Sequence, residues 1–135
     1  MRELKIEATL DQLDEVLAFV GEELEKYSAD QKVNIQISIA VEEVFVNIAH
    51  YAYKPNVGDA VIQIAFDDDP KSVTITFIDS GMEFDPLAKP DPDVTLPAED
   101  RQIGGLGIYM VKKSMDDVTY ERKDGRNIFT IRKNL

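Results

Sequence analysis

Three short clusters carry the chemical potential of this chain. In Glu42-Glu43-Val44-Phe45-Val46-Asn47 a carboxylate and a carboxamide, Glu43 and Asn47, stand four residues apart. Ile78-Asp79-Ser80-Gly81 sets a lone carboxylate two residues before a glycine, and Gly104-Gly105-Leu106-Gly107-Ile108 is a glycine run. On a helix, Glu43 and Asn47 share a side one turn apart. Such a pair suits Mg²⁺ and a phosphate: the amide oxygen is a neutral hard ligand, and the carboxylate can orient or deprotonate an attacking hydroxyl. Taken alone, Glu42, Glu43 and Asn47 also describe a solvated helix face. Asp79 at a strand end can accept a hydrogen bond from the exocyclic amine of a base, and Gly81 lets backbone approach a ring; the alternative is an Asx-type turn leaving a strand. Glycines that open a helix offer free amides to an anion; the alternative is a hinge.

Other chemistries are excluded by what is missing. The glycine run is no dinucleotide fingerprint, because Met110 occupies the third glycine position and no strand precedes it. There is no Gly-Lys-Ser/Thr phosphate loop, and Ser80 has no glycine two residues before it, so the hydrolase nucleophile elbow is absent. The chain has no cysteine and a single histidine, His50, which removes disulfides, thiolate nucleophiles and Cys/His metal clusters; any metal must be oxygen-ligated. A net charge of -11 repels nucleic-acid phosphates, while a nucleotide remains possible through backbone amides and Mg²⁺. No apolar run reaches the ~18 residues of a membrane span, so a cytoplasmic protein without membrane contact is expected.

The elements that must position these clusters follow from periodicity. Glu3 to Ala8 alternates as a half-wet strand, and Leu13, Val16, Leu17, Val20 and Leu24 mark an amphipathic helix ending near Tyr27. Ser28-Ala29-Asp30 supplies capping side chains for a second helix, with Ile37, Val41, Val44, Phe45, Ile48 and Ala52 on its core side, stopped by Pro55. Val61 to Phe66 and Val73 to Ile78 form a hairpin across Asp67-Asp68-Asp69-Pro70. From Gly81 to Gly107 four prolines (Pro86, Pro90, Pro92, Pro97) predict a long surface loop, followed by a short helix from about Ile108 through Val111 to Met115. Val118 to Tyr120 and Ile128 to Ile131 close the chain as a hairpin over Asp124-Gly125. Residues 1–135 read as one domain of the α+β class. Its architecture is a two-layer sandwich of a mixed, mostly antiparallel sheet with helices on one face.

Together, the three clusters resemble the split nucleotide site of the histidine-kinase-like ATPases, shared by gyrase-type ATPases, Hsp90-type chaperones, sensor histidine kinases and MutL-type proteins. Glu42 to Tyr53 resembles the asparagine box, Asp79-Ser80-Gly81 with Phe84-Asp85-Pro86 the first glycine box, and Gly104 to Ile108 the second. The chain length, the Phe84-Asp85-Pro86 ending and the final hairpin look most like bacterial anti-sigma-factor serine/threonine kinases. The resemblance implies ATP and Mg²⁺ as cofactors, with Asn47 as Mg²⁺ ligand, Glu43 as general base, Asp79 reading adenine and Gly81 lining the base pocket. It further implies that Gly104, Gly105 and Gly107 close over the phosphates and that Leu106 and Ile108 flank the proline-rich lid. The implied substrate is a serine of an anti-sigma-antagonist-like protein, with a sigma factor as a further partner and a homodimer by analogy. A nucleotide-gated binding module without turnover is the alternative. Here Tyr51, not histidine, precedes Ala52-Tyr53. His50 reads as helix surface, Tyr51 and Tyr53 as packing residues, and Arg101 and Lys112 as phosphate contacts or solvated cations.

Overall fold

The computed structural model describes residues 1–27, 30–53, 56–88 and 106–135, with only the backbone of Leu106. In chain order its elements are β1 (Arg2–Glu7), α1 (Leu13–Tyr27), α2 (Gln31–Tyr51), β2 (Asp59–Asp68), β3 (Lys71–Asp79), α3 (Leu106–Ser114), β4 (Asp117–Lys123) and β5 (Arg126–Asn134). Single 3-10 turns sit at Leu10–Gln12 and Pro86–Ala88. The predicted elements are all present, and the strands run one to three residues longer at most ends. Extension costs little there, because each added residue finds a ladder partner on a neighbouring strand.

The sheet runs β1-β2-β3-β5-β4, and every ladder among the described residues is antiparallel, where a mixed but mostly antiparallel sheet was expected. The β2–β3 and β4–β5 pairs are tight hairpins. The connection through α3 then lays β5, not β4, beside β3. At the second hairpin Asp124 and Gly125 both take positive φ, 54° and 76°. Two such residues make the twist-matched two-residue turn that the Asp-Gly pair favours.

Period-two alternation puts one face of the sheet under the helices. Ile62, Phe77 and Phe129 lie in one row across β2, β3 and β5, and Ile64, Ile75 and Ile131 in the next. All six are buried, packed beneath Val16, Val20 and Leu24 of α1 and Ile37, Val41, Val44, Phe45 and Ile48 of α2. Burying each such side chain is worth roughly 1.5–3 kcal/mol, so the two rows anchor α2 in place. Asp30 caps α2: its carboxylate accepts from the Lys32 and Val33 amides at 3.0 and 3.3 Å, which stabilises the helix start by about 1 kcal/mol. Of the expected capping residues, Ser28 and Ala29 lie outside the described residues, as does Pro55. Among the described residues no helix is long and apolar enough to cross a membrane.

One row of the same face is polar. Ala60, Asp79, Asn127 and Arg122 are successive register partners across β2, β3, β5 and β4. The apolar layer therefore ends on an Asp-Asn-Arg row at the end of the sheet where β3 leaves for the Ser80-Gly81 turn, and this row forms the edge of the site.

Candidate functional site

A cleft opens between the C-terminal half of α2, the inner face of the sheet and the start of α3. Its lining includes Val44, Asn47, Ile48, Tyr51, Asp79, Phe84, Ile108 and Phe129. The walls are mostly apolar, with a few polar side chains among them, the composition common to small-molecule and cofactor sites. Tyr51 stacks on Phe84 at 5.3 Å with their planes 24° apart, forming an aromatic wall at the mouth. Both tyrosines after His50 were expected to be packing residues. Tyr51 instead lines the cleft, because its position one turn beyond Asn47 carries it round to that side of α2. His50 is exposed.

Asn47 projects into the cleft from α2. Glu43, one turn earlier, is half-buried with its carboxylate against Gly107 of α3: a Cβ at position 107 would collide with Glu43 Oε2. Neither residue is on a freely solvated face, because α3 packs over that side of α2. The helix α3 begins at Leu106, two residues before the expected start, so Gly107 is helical rather than part of a loop. The fit of Glu43, not loop curvature, is what requires glycine there. Gly104, Gly105 and Arg101, and with them most of the proline-rich segment read as a lid, lie outside the described residues. Leu106 opens α3, and Ile108 is buried in the cleft wall.

Asp79 closes the opposite end. It is 5% exposed, and its Oδ1 accepts from the Gly81 amide and from Asn127 Nδ2, both at 2.9 Å. The first bond is the Asx-type turn the sequence allowed as an alternative, so turn-making and cleft-lining coexist in one carboxylate. Gly81 is not among the cleft-lining residues. A Cβ there would strike the carbonyl of Ala52 at the end of α2, against which the turn closes through a 2.8 Å bond from the Met82 amide. Glycine is needed for this docking of turn on helix.

Three residues of the site were not singled out from sequence: Asn127, Tyr120 and Arg122. Asn127 Nδ2 donates to Asp79 Oδ1 and to the Met82 carbonyl at 2.8 Å. Its Oδ1 accepts from Tyr120 Oη at 2.6 Å, Arg122 Nη1 at 3.2 Å and the Phe84 amide at 3.4 Å. Arg122 Nη1 also donates to the Gly81 carbonyl at 2.8 Å. Burial, with the nearby Glu83 charge, pushes the Tyr120 phenol above its ordinary range. Behind the turn, Tyr53 Oη donates to the Asp59 carbonyl at 2.6 Å and accepts from the Ser80 amide at 2.8 Å. Burial, then the charges of Asp79 and Asp59, raise its phenol as well, although the Ser80 bond pulls the other way.

Among the described residues no three carboxylate, histidine or cysteine side chains converge on a metal position. A hard cation here would be held by Asn47 and by ligand and water oxygens. That donor set suits Mg²⁺, which keeps several waters and seldom takes an all-protein cage.

A family profile described as the histidine kinase-like ATPase domain matches residues 6–133. The chain is 25% identical over 100 residues to the serine/threonine-protein kinase BtrW of Bordetella bronchiseptica, spanning 74% of this chain and 70% of that protein. It is 30% identical over 96 residues to the serine-protein kinase RsbW of Bacillus cereus, spanning 68% of this chain and 59% of that one. Among solved structures, the RsbU and RsbW domains of a Mycobacterium tuberculosis protein superpose with a TM-score of 0.70 at 21% identity, covering 100% of this chain and 33% of that one. The Pseudomonas aeruginosa SiaB–SiaC complex gives 0.57 at 18% identity, covering 98% and 89%; these two speak for the fold alone. The profile match spans every cleft-lining residue and the whole of β2, β3 and β4, and on it the chain belongs to the histidine-kinase-like ATPase domain family.

Proposed function

We propose that this protein is an ATP-dependent serine/threonine kinase acting on a small protein partner of the anti-sigma-antagonist kind, with residues 1–135 as the kinase domain. The observation that carries the reading is the placement of Asp79 and Asn47 at two ends of one apolar cleft, with Glu43 beside Gly107 at the start of α3. Adenine would lie between the Tyr51–Phe84 wall and Ile108, its exocyclic amine donating to Asp79. The triphosphate would run past Asn47 toward the α3 N-terminus, whose free amides favour negative charge. Asn47 would hold Mg²⁺, which when bound offsets phosphate charge.

In the transfer, the partner's serine oxygen forms a bond to the γ-phosphorus as the bond to the ADP oxygen breaks. Glu43 takes the hydroxyl proton and ADP leaves with the electron pair. The kinase names of BtrW and RsbW support this chemistry, and the resemblance to anti-sigma-factor kinases supports the partner class and a sigma factor as a second partner. The test is incubation with γ-labelled ATP, Mg²⁺ and candidate antagonist proteins. Label should move to a serine of one partner with wild type and fall at least a hundredfold with Glu43→Gln, on the scale of lost general-base catalysis. Nucleotide binding without transfer to any partner would overturn the kinase reading in favour of a nucleotide-gated binding module.

A further inference from the structure

The Asp-Asn-Arg row suggests who controls the base-reading carboxylate. Asp79, Asn127 and Arg122 are register neighbours on three adjacent strands, so backbone pairing fixes their order before any side chain is placed. Each link then runs donor to acceptor in one direction. Arg122 Nη1 donates to Asn127 Oδ1 at 3.2 Å, and Asn127 Nδ2 donates to Asp79 Oδ1 at 2.9 Å. The amide cannot be turned over. With its ends exchanged, its NH₂ would face the Tyr120 hydroxyl, the Arg122 guanidinium and the Phe84 amide, while its oxygen would face a carboxylate and the Met82 carbonyl.

Asn127 is also fully committed. Both amide hydrogens are donated, to Asp79 and Met82, and the oxygen accepts three bonds. Although it borders the cleft, it has nothing left to offer a ligand, and being 6% exposed it has no room to turn. Its effect on a bound base must pass through Asp79. There Oδ1 is occupied twice, by Asn127 and by the Gly81 amide, and among the described residues both side-chain hydrogen bonds of Asp79 use that oxygen. Oδ2 is the acceptor that remains.

We propose that Asn127, held by Arg122, is the positioning residue that sets base selectivity: it pins Asp79 so that the cleft meets one fixed acceptor oxygen, suited to a purine 6-amino group and opposed to a 6-oxo group. This rests on the nucleotide reading of the cleft and adds to it the residue that enforces the choice. The same contacts tie Met82 and Phe84 to β5, so one amide orients the carboxylate and also the segment carrying the aromatic wall.

The test compares Mg-ATP with Mg-ITP, which differ at the 6-position, by calorimetry on wild type, Asn127→Asp and Arg122→Gln. Asn127→Asp keeps the shape and the bonds to Arg122 and Tyr120 but removes the donor to Asp79 and sets a carboxylate against it. Wild type should prefer ATP. Asn127→Asp should lose about tenfold to a hundredfold in ATP affinity, the scale of a hydrogen bond to a charged group. ITP affinity should change much less, so the ATP/ITP ratio collapses. Arg122→Gln should move the ratio the same way by a smaller factor, and it carries the test if Asn127→Asp melts below the assay temperature. Equal losses for both nucleotides, or an unchanged ratio in folded variants, would mark Asn127 as merely structural and overturn the proposal. A wild type that binds ATP and ITP alike would instead overturn base reading by Asp79 itself.

Discussion

Replacing Gly107 with alanine should separate stability from catalysis. The nearest group to a Cβ at that position is the carboxylate of Glu43, the far end of a flexible side chain, which must be pushed back by roughly an ångström to restore ordinary contact. Two opposing effects act on the fold. Alanine is favoured over glycine within a helix by up to about 1 kcal/mol, and Gly107 is the second residue of α3. Forcing Glu43 from its preferred rotamer costs about 0.5–1.5 kcal/mol. The sum lies within about 1 kcal/mol of zero, so the melting temperature should move by less than about 5 °C.

Phosphoryl transfer should respond quite differently. If Glu43 is the base, displacement by this distance costs on the order of a hundredfold in rate. ATP affinity, which the proposed site assigns to Asp79, should change little. Thermal melts, calorimetry with Mg-ATP, and single-turnover transfer of labelled γ-phosphoryl to an acceptor that serves wild type measure the three quantities on one preparation. Transfer at the wild-type rate in a normally folded variant would refute the assignment of Glu43. A loss of several kcal/mol in stability would refute the claim that a yielding Glu43 side chain is enough to admit the Cβ.

Two further substitutions probe the supports of the site. Gly81→Ala puts a Cβ into the backbone carbonyl of Ala52, which cannot swing aside, so it should destabilise by roughly 1–3 kcal/mol in denaturant melts and weaken ATP binding as the turn lifts from α2. Tyr53→Phe removes the bonds to the Asp59 carbonyl and the Ser80 amide, and should cost about 1 kcal/mol, seen as a melting temperature lower by about 3–5 °C. The raised Tyr53 and Tyr120 phenols also fix the sign of an alkaline effect. Unfolded chains release these protons first, so stability is intact below the ordinary tyrosine range near pH 10 and falls as pH rises through it and toward the higher folded values. Tyr53→Phe should flatten that decline, measured as the slope of unfolding free energy against pH; an unchanged slope would contradict the assignment.

What could be read directly from the sequence were features with local causes. The apolar spacing of α2 placed Val44, Phe45 and Ile48 in the core and Asn47 on another side, and an apolar run ending in Asp-Ser-Gly put Asp79 at a strand terminus, where the structure has it. The Asp-Gly turn announced the last hairpin for the same reason. The rest of the site depends on distant pairing. Asn127 looks like an ordinary residue after a turn; it becomes Asp79's partner only because β5, 48 residues later, docks beside β3. Periodicity within a strand carries no such information. Gly81 and Gly107 are plain in the sequence, but what they accommodate, the Ala52 carbonyl and the Glu43 carboxylate, is tertiary. Helical phase puts Tyr51 on the Asn47 side of α2, but that this side becomes a cleft wall depends on Phe84, from a distant turn, stacking on it.

The measurement that bears most directly on the nucleotide site is a calorimetric titration of Mg-ATP into wild type and Asp79→Asn. Asparagine keeps an oxygen for the Gly81 amide but removes the charge and one acceptor. The account predicts saturable binding by wild type and a loss of at least tenfold in Asp79→Asn with the fold intact. Equal affinity for the two proteins, or no binding by wild type, would contradict it.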